Sequence, residues 1–278
     1  PVFYPKSEKI WRADNMKITE EYAKKLYRQI RSARPVIHCI TNTVTVNDCA
    51  NVLLACGASP TMAHHPAEVA EITSAASALV CNLGATENYD AMVNACKAAG
   101  EVKHPVVIDP VGISGSAFRR NFINELIKIN TPACIRGNYS EIRALMENRN
   151  TITGVDAADK KIDISGMKSY AAAHNTILIA SGATDVITDG KDVIYCNNGD
   201  SMMARITGSG CMLSALIGAF LSVDSSVYSA AACCCMYGAA GEIAAGMTRE
   251  SGGGTMTFHD KFIDVISLIE SQSLLFIL

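Results

Sequence analysis

The chain has 278 residues, 49% of them hydrophobic and 18% charged, with 24 Lys and Arg against 27 Asp and Glu for a formal net charge of −3. That length supports a large core without disulfide or metal staples, and the near-neutral balance gives no global attraction to nucleic acid or to an anionic membrane. Eleven cysteines, none in a Cys-x-x-Cys pair and most inside apolar runs, exclude a paired-cysteine zinc module and read as small buried hydrophobes in a reducing, cytoplasmic compartment.

Residues 1–15 mix charge, Trp11 and prolines with no apolar signal segment. Met16 opens a native-looking start, so 1–15 reads as an added or poorly ordered extension and 16–278 as one domain. Ile18, Tyr22, Leu26 and Ile30 recur every four residues and predict an amphipathic helix over 18–32. A strand at 36–40 follows Pro35, and a helix over 47–56 stops at Gly57. The alternation repeats: strand 78–82 with helix 89–99 ending at Gly100, strand 106–108 with helix 118–129, strand 133–135 with helix 139–147, and helix 156–174 with strand 176–180. Strands 186–188 and 193–195 flank Asp189-Gly190, a hairpin signal. Helices over 211–221, 227–247 and 256–270 close the chain, with a mobile loop expected at Gly252-Gly253-Gly254. The segment 227–247 is long enough to span a membrane, but it is rich in Ala, Gly, Ser and Cys and is interrupted by Glu242. It reads as a tightly packed buried helix.

Strands alternating with helices predict an α/β fold, a mostly parallel sheet with helices on both faces and antiparallel strands near one edge. In such sheets ligands bind beyond the carboxyl ends of the strands. There lie Thr41-Asn42-Thr43, Asn82-Leu83-Gly84, Asp109-Pro110-Val111-Gly112, Arg136-Gly137-Asn138 and Ser181-Gly182.

Gly208-Ser209-Gly210 runs straight into an apolar helix, where free backbone N–H groups and the positive helix end can hold an anion or simply make a tight turn. Cys211, in the first turn, is placed where the helix dipole favours thiolate. It reads either as a group that contacts, orients or deprotonates a substrate hydroxyl or as a small helix-start residue. Asp109, at a strand end before Pro110, can organise Mg²⁺ or cap a turn. Glu141 can be a second metal-shell carboxylate or the glutamate of a capping box with Asn138, and the two roles are compatible. Arg136 follows a buried strand and needs either a phosphate or a structural ion pair. No Walker motif, His-Glu-x-x-His, Gly-x-Ser-x-Gly or dinucleotide fingerprint is present, and His64-His65 reads as a solvated loop.

His38-Cys39-Ile40-Thr41-Asn42, 54–62 (Leu-Ala-Cys-Gly-Ala-Ser-Pro-Thr-Met), Asp109-Pro110-Val111-Gly112, 135–142 (Ile-Arg-Gly-Asn-Tyr-Ser-Glu-Ile) and Gly208-Ser209-Gly210-Cys211 occur in that order. With these motifs the chain resembles, from about Met16 onward, the hydroxyethylthiazole kinases of thiamine biosynthesis and salvage, within the ribokinase-like superfamily. The resemblance implies a ribokinase-like sheet without a separate lid domain. It implies ATP-dependent phosphorylation of 4-methyl-5-(2-hydroxyethyl)thiazole at its side-chain hydroxyl, Mg²⁺, and a homotrimer with sites near subunit interfaces. By motif, Met62 and Gly208, with Asn42, match the thiazole contacts. Arg136 and Ser181, with Asn138, match the ATP side. Asp109 and Glu141 match the magnesium acids, and Gly208, Ser209, Gly210 and Cys211 match the anion hole. Ser181 and Ser209 stand where Thr is common, and Cys211 stands where many ribokinase-like enzymes have a base Asp. Alternative readings are a hydroxymethylpyrimidine kinase, a nicotinamide-nucleotide-hydrate dehydratase, or a non-catalytic binder of thiazole or nucleotide.

Overall fold

A computed structural model describes residues 18–149 and 162–274. The expected extension at 1–15 and the expected helix start at 156–161 lie outside the described residues. Eight strands form among the described residues: β1 (Val36–Ile40), β2 (Ser59–Thr61), β3 (Ala78–Asn82), β4 (Val106–Asp109), β5 (Cys134–Asn138), β6 (Ile177–Ser181), β7 (Asp185–Thr188) and β8 (Val193–Cys196). They make one sheet in the order β2-β1-β3-β4-β5-β6-β7-β8. Pairing is parallel from β2 through β6 and antiparallel for β6–β7 and β7–β8. The expected hairpin turns at Gly190, whose φ of +92° is one that favours glycine.

The two faces follow from the period-two alternation of side chains. Ile37, Cys39, Val80, Val107 and Ile179 face one core, with α1 (Glu20–Ala33), α2 (Val46–Cys56), α8 (Ser209–Val223), α9 (Val227–Glu250) and α10 (Thr255–Ser267) packed there. Ile40, Leu79, Cys81, Ile108 and Leu178 face the other, against α3 (Val69–Ala75), α4 (Tyr89–Val102), α5 (Ala117–Ile129), α6 (Tyr139–Glu147) and α7 (Ile164–His174). Among the described residues there is no separate lid domain. By length and composition α9 could cross a membrane, yet 78% of its apolar window is buried inside the protein. It is a core helix, and its small side chains allow close approach: a Cβ on Gly238 would lie 2.5 Å from the Asn198 carbonyl oxygen.

Several local features depart from the sequence reading or refine it. Strand β2 and helix α3 were not foreseen. β2 is a three-residue edge strand carrying Pro60, a position that tolerates proline because one side of the strand needs no ladder bond. Helix α4 runs past Gly100 to Val102 and ends at Lys103 in the left-handed region, φ +59°. The helical penalty of one glycine is only about 1 kcal/mol, and the packing of α4 outweighs it. The Gly252-Gly253-Gly254 segment is a hydrogen-bonded turn in which the Gly253 N–H donates to the Thr248 carbonyl at 2.9 Å and Gly254 starts α10. Finally, β5 extends to Asn138, so Arg136 and Asn138 lie within the strand, paired with Ile179 and Ser181 of β6, rather than in a loop after it.

The strand order reverses between β1 and β3, which opens a crevice beyond their carboxyl ends. Helix α8 packs under β1, β3 and β4 and delivers its N-terminus to that crevice.

Candidate active site

The start of α8 is built around glycine. Gly208 caps the helix at φ +80° with no side-chain cap. A Cβ there would meet Thr45 Cγ2 at 3.1 Å and Asp48 Oδ2 at 3.2 Å. The next N–H groups, on Ser209, Gly210 and Cys211, are the ones a helix cannot satisfy internally, and they carry its positive end. Buried Tyr237 of α9 fixes this turn by donating its hydroxyl to the Ser209 carbonyl at 2.7 Å.

Arg136 lies against that turn. Its Nη1 would be only 2.6 Å from a Cβ on Gly210, so the missing side chain is what admits the guanidinium. Arg136 Nε donates to Ser181 Oγ at 3.0 Å across the β5–β6 pair. Among the described residues no carboxylate lies within 4.0 Å of the guanidinium. A structural ion pair is therefore not what holds Arg136. Asp185 sits beyond Ser181, its Oδ1 accepting from the Gly182 N–H at 3.0 Å. Burial pushes its carboxyl up to about 6, against the pull of the Gly182 N–H and Arg136.

A polar chain continues from Asp109. This carboxylate is 1% exposed, and its Oδ2 accepts from Ser214 Oγ at 2.9 Å and from Asn82 Nδ2 at 3.2 Å. Burial, reinforced by Glu141 and opposed by Arg136, raises it to about 6. Asn82 Nδ2 also approaches Cys211 Sγ at 3.1 Å, and Asn42 Nδ2 reaches the same sulfur at 3.6 Å. The Cys211 thiol is raised, first by burial and then by Asp109. This corrects the expectation of a dipole-lowered thiolate: the neighbouring acid and loss of water outweigh the helix end. Glu141 and Asn138 form the expected capping box, with the Glu141 N–H on Asn138 Oδ1 and the Asn138 N–H on Glu141 Oε2, both 2.9 Å. Glu141 Oε1 accepts from the Gly112 N–H at 2.9 Å and so pins the turn after Asp109.

Two cavities meet at Gly208. The larger, about 710 Å³, contains Arg136, Asn138, Ser181 and the Gly208–Gly210 turn. The smaller, about 410 Å³, contains Asn42, Thr45, Arg119 and Cys211. Met62, just after β2, packs half-buried against the first core and lines neither of them.

Comparison with known proteins decides the family. The model of the "Hydroxyethylthiazole kinase family" matches residues 27–272. A hydroxyethylthiazole kinase of Thermoanaerobacter pseudethanolicus is 40% identical over 248 residues, 87% of this chain and 94% of that protein. The chain belongs to the hydroxyethylthiazole kinase family. A solved hydroxyethylthiazole kinase structure from Pyrococcus horikoshii OT3 superposes with a TM-score of 0.79 at 32% identity, covering 92% of this chain and 98% of that one. A ribokinase-like superfamily protein from Enterococcus faecalis V583, TM-score 0.59 at 10% identity over 86% of this chain and 89% of that one, shares the fold alone.

Within this family member, the structure gathers ten of the eleven expected site residues around one helix start and leaves Met62 apart. Sequence reading assigned no role to Asn82, Ser214, Asp185 or Tyr237. The only signal for Asn82 was its place at a strand's carboxyl end; Ser214 and Tyr237 sit in apolar helical runs and gave none. As a test of metal fit, the Glu141 charge adds to burial in raising the buried Asp109 carboxyl, a repulsion that a cation relieves. Among the described residues no three metal-ligating side chains converge. That donor set fits Mg²⁺, which is held by one or two carboxylates with waters and phosphates, rather than a fully caged ion.

Proposed function

We propose that this chain transfers the γ-phosphate of ATP to the side-chain hydroxyl of 4-methyl-5-(2-hydroxyethyl)thiazole, giving the thiazole phosphate from which thiamine phosphate is built. The observation that carries this is the uncapped Gly208 turn shared by two cavities, one of which contains an arginine without an ion pair. A shared anion site between two pockets is what an in-line transfer between donor and acceptor needs. Family membership supplies the acceptor.

In this reading the larger cavity takes ATP, with Arg136, Ser181 and Asn138 on its side. The N–H groups of Gly208, Ser209, Gly210 and Cys211 and the Arg136 guanidinium stabilise charge on the transferred group. Asn42 and Gly208 border the acceptor pocket. Cys211, whose thiol stays protonated at neutral pH, orients the acceptor hydroxyl and is not the base. That is tolerable because positioning and charge neutralisation dominate phosphoryl transfer. Asp109 and Glu141 would hold Mg²⁺, which when bound would neutralise phosphate charge.

The quaternary and cellular readings belong here too. Val44, 70% exposed, stands at the mouth of the smaller cavity, and Met62 lies outside it. The homotrimer implied by the family resemblance would place this exposed side of the acceptor pocket near a subunit interface. One continuous sheet supports a single kinase domain from about residue 16. Eleven free cysteines, ten of them buried, support a reducing, cytoplasmic setting.

The test is incubation of the pure protein with ATP, Mg²⁺ and hydroxyethylthiazole, followed by mass spectrometry for thiazole phosphate and ADP. Turnover of hydroxymethylpyrimidine or of hydrated nicotinamide nucleotides instead would overturn the acceptor assignment.

A further inference from the structure

Glu242 breaks the apolar run of α9, and phosphoryl transfer has no use for it. The structure gives it another task. Its Oε1 accepts from the Gly199 N–H at 2.9 Å and from Asn198 Nδ2 at 3.3 Å, and its Oε2 approaches Asn198 Nδ2 at 3.4 Å. Gly199 and Asn198 begin the loop that joins β8 to α8 and ends in the Gly208 turn. The same face of α9 seats the rest of that loop. Gly238 admits the Asn198 carbonyl, and Gly241 admits Met203, whose sulfur would be 2.5 Å from a Cβ there. Arg249 pairs with Asp200 at 2.6 Å.

The loop forms a large part of the wall of the bigger cavity through Asn198, Gly199, Asp200, Ser201, Met203 and Ile206. The cationic features of that cavity, Arg136 and the start of α8, are suited to phosphates. No cation of the loop lines the cavity; its wall offers backbone edges, the polar side chains of Asn198 and Ser201, the Asp200 carboxylate already paired with Arg249, and the apolar side chains of Met203 and Ile206, a surface suited to the uncharged nucleoside end rather than to phosphates. With the phosphates at the Gly208 turn, the nucleoside falls against this loop.

We propose that Glu242 is a positioning residue that sets affinity for the nucleoside part of the nucleotide, by clamping the 198–206 loop in its binding shape. This rests on the reading of the larger cavity as the ATP site. A clamped loop pays its ordering cost on folding, whereas a released one pays it on binding, so the effect appears in nucleotide affinity rather than in the chemical step. The clamp is a charge-assisted bond to a backbone N–H.

The experiment compares wild type, Glu242→Ala and Glu242→Gln. Glu242→Ala should raise the KM for ATP roughly ten-fold, the equivalent of about 1.4 kcal/mol. Its kcat and its KM for hydroxyethylthiazole should stay within about two-fold. Glu242→Gln should recover most of the loss, because the amide oxygen still accepts from Gly199. Calorimetric titration with ADP alone should reproduce the same ratio of affinities without any turnover. An unchanged KM for ATP, equal loss for both substrates, or a Gln variant as impaired as Ala would overturn the clamp. Wild type that binds ADP but makes no thiazole phosphate would overturn the acceptor reading, and the ADP titrations would still decide the clamp. Wild type that does not bind ADP would overturn both.

Discussion

Gly210→Ala separates the site from the scaffold. Gly210 has no positive φ and lies in the first turn of α8, so alanine fits the backbone and gains at most about 1 kcal/mol of helix propensity. Its Cβ, however, would be 2.6 Å from Arg136 Nη1, well inside contact distance. The guanidinium is the far end of a flexible side chain and can move, so the fold absorbs the clash cheaply. What moves is the guanidinium proposed to meet the transferred phosphate. Losing one charge-assisted hydrogen bond in the transition state costs about 1.5–3 kcal/mol, or about ten- to 150-fold in kcat/KM. The assay is thiazole phosphate formation with ATP in excess, paired with a thermal melt. A melting temperature within about 2 °C of wild type with that loss of activity is expected. Full activity, or activity and stability falling together, would refute the placement of Arg136 at the transferred phosphate.

Cys211→Ala should lower kcat/KM by about ten-fold or less, because an orienting thiol is lost but no base; a drop beyond about a hundred-fold would restore the base role. His38, fully buried, lies between Thr73 Oγ1 at 2.8 Å and the Ala63 carbonyl at 2.9 Å, so His38→Ala should cost about 3 kcal/mol and roughly 6–12 °C of melting temperature. Burial lowers the His38 pKa; the unfolded chain then binds more protons below about pH 6.5, and wild-type stability should fall as pH drops through that window, a slope absent from the variant in denaturant titrations. Asp185 has the opposite sign: raised to about 6 by burial, it contributes stability that is fully present below about pH 4 and is lost as pH rises through 6. Asp185→Asn, which keeps an oxygen for Gly182, should therefore gain stability over wild type between pH 4 and 7, and a flat difference across that range would refute the buried carboxyl.

The elements legible in the sequence are those whose signals are local. Strand 78–82 and helix 139–147 appear at the expected residues, because four consecutive apolar residues, 78–81, and an Asn-x-x-Glu capping box are complete statements within a few positions. The reversal from helix α7 to strand β6 and the Asp189-Gly190 hairpin are legible for the same reason. The strand β2 was not, because three residues with a proline carry no strand signal of their own. Their pairing with β1 is made by a partner distant in sequence. Helix α4 ran past Gly100 for a like reason, since propensity is weak beside packing.

The site divides along the same line. The sequence by itself determined which chemistry-bearing groups exist and roughly where they stand: Asp109, Arg136 and Ser181 near the carboxyl ends of strands, and the Gly208–Cys211 turn at a helix start. Motif order alone was enough to suggest the family. Only the tertiary structure decided what those groups are. It showed Arg136 without an ion pair and seated against Gly210, a thiol at Cys211 raised rather than lowered, Asp109 joined to Asn82 and Ser214, and Glu242 fastened to the loop beside the cavity. Charge state and orientation depend on burial and on neighbours brought together from remote parts of the chain, and no local pattern of residues encodes either.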